Sequence, residues 1–118
     1  MKREIEFRGK TYSDKWVYGY LLKGSIDNDF YILENLGGTP FWIIPETVGQ
    51  YVGIKDKNGK KVYEGDILRV NNSTKSGVVE IKDFEIRCNI DGVKHRLEYE
   101  TVYEVIGNIF DKGCDNGD

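Results

Sequence analysis

Ile5 and Phe7 alternate with Glu4, Glu6 and Arg8, and the same period of two governs most of the chain that follows. Successive side chains of a strand point to opposite faces, so this pattern predicts a short strand near the start. The next strand sets Trp16, Tyr18, Tyr20 and Leu22 on one face and Val17 and Leu21 on the other. The polar turn Ser25-Ile26-Asp27-Asn28 then leads into a hairpin partner over Asp29 to Glu34. After Gly37-Gly38, the run Phe41-Trp42-Ile43-Ile44 is apolar on both faces and stops at Pro45, which cannot donate a ladder hydrogen bond. Pro suits a first helical position, so Pro45-Glu46-Thr47 has room for one helical turn before Gly49. Strand character resumes over Tyr51-Val52-Gly53-Ile54. Asn58-Gly59, in the turn from Lys55 to Lys60, is the strongest hairpin signal, because both residues tolerate positive φ.

The second half repeats this grammar. Val62-Tyr63 is followed by the turn Glu64-Gly65-Asp66, the strand Ile67 to Val70, and a polar loop from Asn71 to Ser76. Val78 to Ile81, Phe84 to Ile90, the turn Asp91-Gly92 and Lys94 to Tyr99 complete the run. The last element, Val102 to Phe110, has an apolar spacing that also suits a helix, but Gly107 and its β-branched residues favour a strand. The polar tail Asp111 to Asp118 is expected to fray. With no repeat and no linker, the expectation is one all-β or β-rich domain over residues 1–110. Its architecture is a small barrel or packed antiparallel sheets, with at most one or two short helical turns. The Glu64-Gly65-Asp66 turn, its strand, and Gly77-Val78-Val79 beyond are analogous to a segment of small SH3-like barrels.

Composition supports a folded domain. Of 118 residues, 39% are hydrophobic and 31% charged, with eight Tyr, five Phe and two Trp, enough apolar material to offset chain entropy. A net charge of −3 argues against a protein whose main task is to neutralise phosphates. No stretch is long enough for a membrane span, and Met1-Lys2-Arg3 leads into Glu4-Ile5-Glu6-Phe7 rather than the apolar run of a signal peptide. A cytoplasmic protein is expected, with no membrane partner. In that setting the sequons at Asn71 and Asn72 carry no meaning.

Few residues suggest chemistry. Metal binding by His and Cys needs about three or four convergent ligands, whereas the chain has one His and two widely spaced Cys. Cys88 shares parity with Phe84, Ile86 and Ile90 and reads as a small core hydrophobe. Asp56-Lys57-Asn58-Gly59 lacks the ladder of oxygen ligands that a calcium loop requires. His95 has no nucleophile in context to mark a triad. Glu64 and Asp66 could share a face as an acid and base pair, but Asp66 is better read as bonding the backbone of its own turn. Gly37-Gly38 is followed by Thr39-Pro40 rather than by a phosphate cradle. No cofactor, metal or catalytic residue is assigned, and the chain is not expected to be an enzyme.

The stretch from Ile44-Pro45-Glu46-Thr47-Val48-Gly49 through Gln50-Tyr51-Val52-Gly53-Ile54-Lys55-Asp56-Lys57-Asn58-Gly59 to Lys60-Lys61-Val62-Tyr63-Glu64-Gly65-Asp66-Ile67 closely resembles the central signature of the YopX family, small proteins of phages and prophages. Phe7-Arg8-Gly9-Lys10 and Trp16-Val17-Tyr18-Gly19 upstream, and Val105-Ile106-Gly107-Asn108-Ile109 downstream, extend the resemblance along almost the whole chain. Val52 stands where members often carry Thr, and Lys61-Val62 where they carry Glu-Ile. Asp111-Lys112-Gly113-Cys114 replaces the usual Pro-Glu-Leu ending. The resemblance implies a largely β fold and brings with it no activity or cofactor.

The aromatic strand supplies the remaining functional signal. Trp16, Tyr18 and Tyr20 lie near Arg8, Lys10 and Lys23, as in stacking platforms for single-stranded nucleic acid. The plainer reading is that the rings supply core area, since aromatics provide much of the buried surface of a small domain. The candidate interaction surface comprises Arg8, Lys10, Trp16, Tyr18, Tyr63, Glu64 and Asp66. The leading expectation is a non-enzymatic protein-interaction or self-assembling module of a phage or prophage, with a second copy or a host or phage protein as partner. A small-barrel binder of single-stranded nucleic acid is the alternative.

Overall fold

The computed structural model describes residues 5–70, 74–82, 85–90, 92–97 and 103–111, and the backbone alone for His95 and Arg96. The chain divides into two compact units, Met1–Tyr51 and Val52–Asp118. The described residues form strands and turns without a helix, so none is long and apolar enough to cross a membrane. The expected tail beyond Asp111, the sequons, Phe84 and the side chain of His95 lie outside the described residues.

In the first unit, β1 (Phe7–Thr11), β2 (Trp16–Lys23), β3 (Phe30–Leu33) and the start of β4 (Phe41–Lys55) make an antiparallel sheet. β1 pairs with β2 on one side and β4 on the other, while β3 joins β2 to β4. The sheet therefore curls partly into a ring, but no closed barrel forms among the described residues. Of the two architectures expected, antiparallel sheets are the one observed.

The ring interior is narrow and lined by branched side chains. Val17, Ile32 and Ile43, one from each of three successive strands, are fully buried, with Phe7, Leu21, Phe41 and Val48 packed around them. Gly9 is required by this closeness, because a Cβ there would run into the Ile43 side chain.

The helical turn for which Pro45-Glu46-Thr47 has room does not form. β4 instead continues as one strand, with a bulge against β1: Lys10 pairs with Ile44 and Arg8 with Gly49, so Gly9 faces the interval that Pro45, Glu46, Thr47 and Val48 occupy. A bulged residue leaves the ladder, which makes the missing N–H of Pro45 harmless. Thr47 repairs the gap. Its hydroxyl accepts from the Lys10 amide at 2.8 Å and donates to the Ile44 carbonyl at 2.6 Å.

The second unit contains the end of β4, β5 (Lys61–Tyr63), and a sheet ordered β10, β6, β7, β8, β9. These last are β6 (Asp66–Val70), β7 (Ser76–Lys82), β8 (Glu85–Ile90), β9 (Val93–Arg96) and β10 (Tyr103–Asn108). β10 confirms the strand reading over the helical one, and its extra residue at Ile106 bulges out where Val105 pairs with Leu68 and Gly107 with Ile67. Val52, Val62, Leu68, Val79, Cys88, Ile90, Leu97 and Tyr103 form the core. Cys88 is buried as expected, and burial pushes its thiol up to about 11.

One carboxylate organises the hairpin between β4 and β5. Asp56 Oδ1 accepts from the amides of Asn58 and Lys60, each at 2.9 Å, and Gly59 takes the positive φ that the turn needs. Oδ2 accepts from the Val105 amide at 2.9 Å, and the Lys57 amide donates to the Tyr103 carbonyl, so the turn is fastened to β10. Burial acts to raise the Asp56 pKa, but the N–H donors of Val105, Lys60 and Asn58, with the charge of Lys60, outweigh it and hold the group below its ordinary value.

Two predictions follow from these contacts. Thr47→Val keeps the shape but takes the buried Lys10 amide's acceptor away, and should cost about 1–3 kcal/mol in urea unfolding, whereas Thr47→Ser should cost less. Equal stability of the valine variant and the parent would show that the hydroxyl is dispensable. Asp56→Asn turns an amide NH₂ toward an N–H donor and should cost about 1–3 kcal/mol at neutral pH. Because the folded-state pKa of Asp56 is depressed, its stabilisation is present above the ordinary carboxylate range and is lost as pH falls through the folded value. The stability gap between parent and variant should therefore shrink in acid; a gap independent of pH would contradict the assignment.

Candidate functional site

The alternation of β2 decides which side chains face outward from the first unit. Val17 is 0% exposed and Leu21 packs on the ring core, whereas Tyr18, Tyr20 and Leu22 are 40%, 52% and 40% exposed. The reading of these aromatics as core is thus overturned for Tyr18 and Tyr20, and Trp16 is half-buried on the same outer face. Val17, Ile32 and Ile43 take the fully buried interior positions, with Phe7 and Phe41 packed against them, while Trp16, Tyr18 and Tyr20 stand on the opposite face of β2.

Register brings the four candidate residues of this unit together, since Arg8 pairs with Tyr18 and Lys10 with Trp16. The Arg8 guanidinium carbon lies 4.7 Å from the centroid of the Trp16 ring, and Lys10 Nζ lies 5.7 Å from it. Both distances are those of cation–π contacts. The two cations are only 4% and 6% exposed, and Lys10 Nζ also pairs with Asp14 at 2.8 Å. Their long stems cover the ring, so this part of the face is a packed cation–aromatic cluster.

Further along the same face the register aligns Leu22 of β2 with Tyr31 of β3, and Tyr31 with Trp42 of β4. Tyr12, at the tip of the β1–β2 hairpin, leans on Trp42 with ring centroids 4.7 Å apart and planes at 49°. The hairpin is shaped by Thr11, whose amide donates to the Lys15 carbonyl and whose hydroxyl accepts from the Lys15 amide. Two shallow depressions result. One is lined by Thr11, Tyr12, Ser13, Lys15, Phe41 and Trp42, the other by Leu22, Lys23, Gly24, Tyr31 and Pro40. The Tyr31 hydroxyl donates to Asp27 at 3.1 Å, and the amide of Asp29, followed by that hydroxyl, holds the Asp27 carboxyl below its ordinary range.

Sequence reasoning missed Tyr12, Tyr31 and Trp42. Their grouping depends on the pairing of three strands, and the only local signal was the tryptophan in the doubly apolar run after Gly37-Gly38.

Tyr63, Glu64 and Asp66 belong to the second unit, at the turn between β5 and β6. Asp66 is buried and accepts from the Tyr63 amide at 2.8 Å, which is the turn role expected of it. Tyr63 is buried and Glu64 half-buried. The Gly65 amide donates to the Val79 carbonyl, and the Gly65 carbonyl accepts from Ile109, clamping the turn between β7 and the end of β10. Nearby, Glu104 accepts from Arg69 at 2.8 Å, and that bond, with the charges of Lys57 and Arg69, keeps its carboxyl below the usual range. Among the described residues no three His, Cys, Asp or Glu side chains gather closely enough to hold a metal ion.

No curated protein matches the chain. The sequence model of one family, described as YopX protein, matches residues 6–113, a span that includes both the outer aromatic face of the first unit and the clamped turn of the second. The chain therefore belongs to the YopX family.

Proposed function

We propose that the protein is a non-enzymatic interaction module, working in a phage or prophage setting, that docks another protein or a second copy of itself on the outer face of its first unit. One observation carries this reading: the row Tyr18, Tyr20 and Leu22 stays exposed on a sheet whose β1, β2 and β3 each have a neighbour on both sides. Strands with two neighbours offer no edge for pairing, so the side-chain face is the surface left for a partner. Tyrosine suits this role, because it presents a large rigid contact area and a polar tip.

The electrostatics favour protein over nucleic acid as partner. Arg8 and Lys10, the cations a phosphate backbone would need, are buried against Trp16, and the chain as a whole is acidic. The non-enzymatic part of the reading is supported by the carboxylates of Asp56 and Asp66, which already accept backbone amides, and by the raised pKa of Cys88, which leaves little thiolate at neutral pH.

The test compares the tagged protein with the variant Tyr18→Ser, Tyr20→Ser, Leu22→Ser. Both are used to capture partners from host lysate with and without nuclease, and self-association is measured by analytical ultracentrifugation. The expected result is a nuclease-resistant protein partner, or a dimer, whose retention falls at least about tenfold in the variant. Capture that is unchanged in the variant, or lost on nuclease treatment, would count against the proposal.

A further inference from the structure

Asn58 and Gly59 are both exposed at the tip of the β4–β5 hairpin. Asparagine followed by glycine is the pair best able to modify itself, because glycine has no side chain to shield its nitrogen from the neighbouring carboxamide. The Gly59 nitrogen gives up its proton and bonds to Asn58 Cγ, the bond from Cγ to the side-chain nitrogen breaks, and ammonia leaves with that proton. One water then opens the five-membered imide at either carbonyl, which gives aspartate or isoaspartate. No neighbour screens the pair. A Cβ on Gly59 would meet nothing within 4 Å, and among the described residues no hydrogen bond engages the Asn58 carboxamide.

What restrains the reaction is Asp56. The Gly59 amide donates to the Asp56 carbonyl at 3.0 Å, so the proton that must leave is shared and the peptide plane that must turn toward the carboxamide is held. The Asp56 amide donates to the Lys60 carbonyl at 2.8 Å, closing the turn from the other side. Asp56 Oδ1 accepts from the amides of Asn58 and Lys60, which flank Gly59, and Oδ2 accepts from Val105. Opening the turn at Gly59 therefore disturbs a carboxylate that is buried and already satisfied. We infer that Asn58-Gly59 is a self-modification site that Asp56 holds closed, so that the folded hairpin is spared while any molecule that opens it is converted one way.

Neither product returns to the parent, because the ammonia is lost. Isoaspartate routes the main chain through the side-chain carbon and lengthens it between the amides of residues 58 and 60, which Oδ1 bridges in the parent. Aspartate keeps that length but sets a second carboxylate near Asp56, and like charges repel. Either product weakens the turn that fastens the hairpin to β10, so a converted molecule opens more readily than its parent. The hairpin thus couples local opening to a permanent chemical change.

The experiment ages the full chain in mildly alkaline buffer, both folded and in denaturing guanidinium chloride. Cleavage after glutamate releases Thr47–Glu64, in which Asn58 is the only asparagine, and mass spectrometry follows its asparagine, aspartate and isoaspartate forms. The second Asn-Gly pair of the chain, Asn116-Gly117, falls in another peptide. Conversion at Asn58 should be at least about tenfold slower in the folded chain than in denaturant, and Asp56→Ala should lose that protection while circular dichroism shows it folded. Asn58→Ser has no carboxamide to lose and should keep its denaturation midpoint under ageing that lowers the parent's. Equal conversion in the folded and denatured chain, or none in either, would overturn the inference, as would a folded Asp56→Ala that converts as slowly as the parent. If Asp56→Ala does not fold, amide hydrogen exchange at Gly59 of the parent decides: slow exchange upholds the closed turn, and exchange as fast as in denaturant overturns it.

Discussion

The Asp56 carboxylate joins parts of the chain that lie 49 residues apart, and much of the second unit is arranged around it. An ionised group in the interior is costly unless hydrogen bonds replace its water, and here three backbone amides do so. The satisfied carboxylate shapes the β4–β5 hairpin and holds it against β10. β10 in turn places Tyr103 in the core and Glu104 beside Arg69 and Lys57. Asp66 repeats the arrangement on a smaller scale in the next turn. Both turns are thus built from buried acids, and an acid engaged in this way is poorly placed for proton transfer.

The alternation along the chain was enough to recover an all-β fold and most of its strands, and Asn58-Gly59 located a hairpin by its backbone requirement alone. It could not say which face of β2 was inward. Both faces are apolar, and a count of buried area favours the larger rings, whereas the partly ringed sheet turns Val17 inward and Tyr18 and Tyr20 outward. That ring brings Gly9 close to Ile43, a contact between strands distant in sequence. The bulge at Pro45 was hidden for the same reason: local preference permits a helical turn there, and only the Thr47 hydroxyl meeting the Lys10 amide, 37 residues away, makes the extended form better. The Leu22–Tyr31–Trp42 row was less legible still, because these residues become neighbours only through register.

Charge on the first unit serves packing as much as recognition. Arg8 and Lys10 read in sequence as cations awaiting an anion, yet their stems and charges are spent on Trp16 and, for Lys10, on Asp14. What remains accessible on that face is aromatic and aliphatic surface bordered by isolated charges of both signs. Such a surface discriminates by shape and spacing more than by net potential.

The double pairing of β1 also has a consequence for synthesis. Its first partner, β2, follows after a tight turn, but its second, the stretch of β4 from Ile43 to Gln50, emerges from the ribosome much later. During that interval one edge of β1 is an open template for any other nascent strand. Arg8 and Lys10 lie in this strand, and charged side chains on an exposed edge discourage pairing with a second chain. The same two cations that end as a cover for Trp16 thus lie, until β4 pairs, on a strand edge where charge disfavours a second chain.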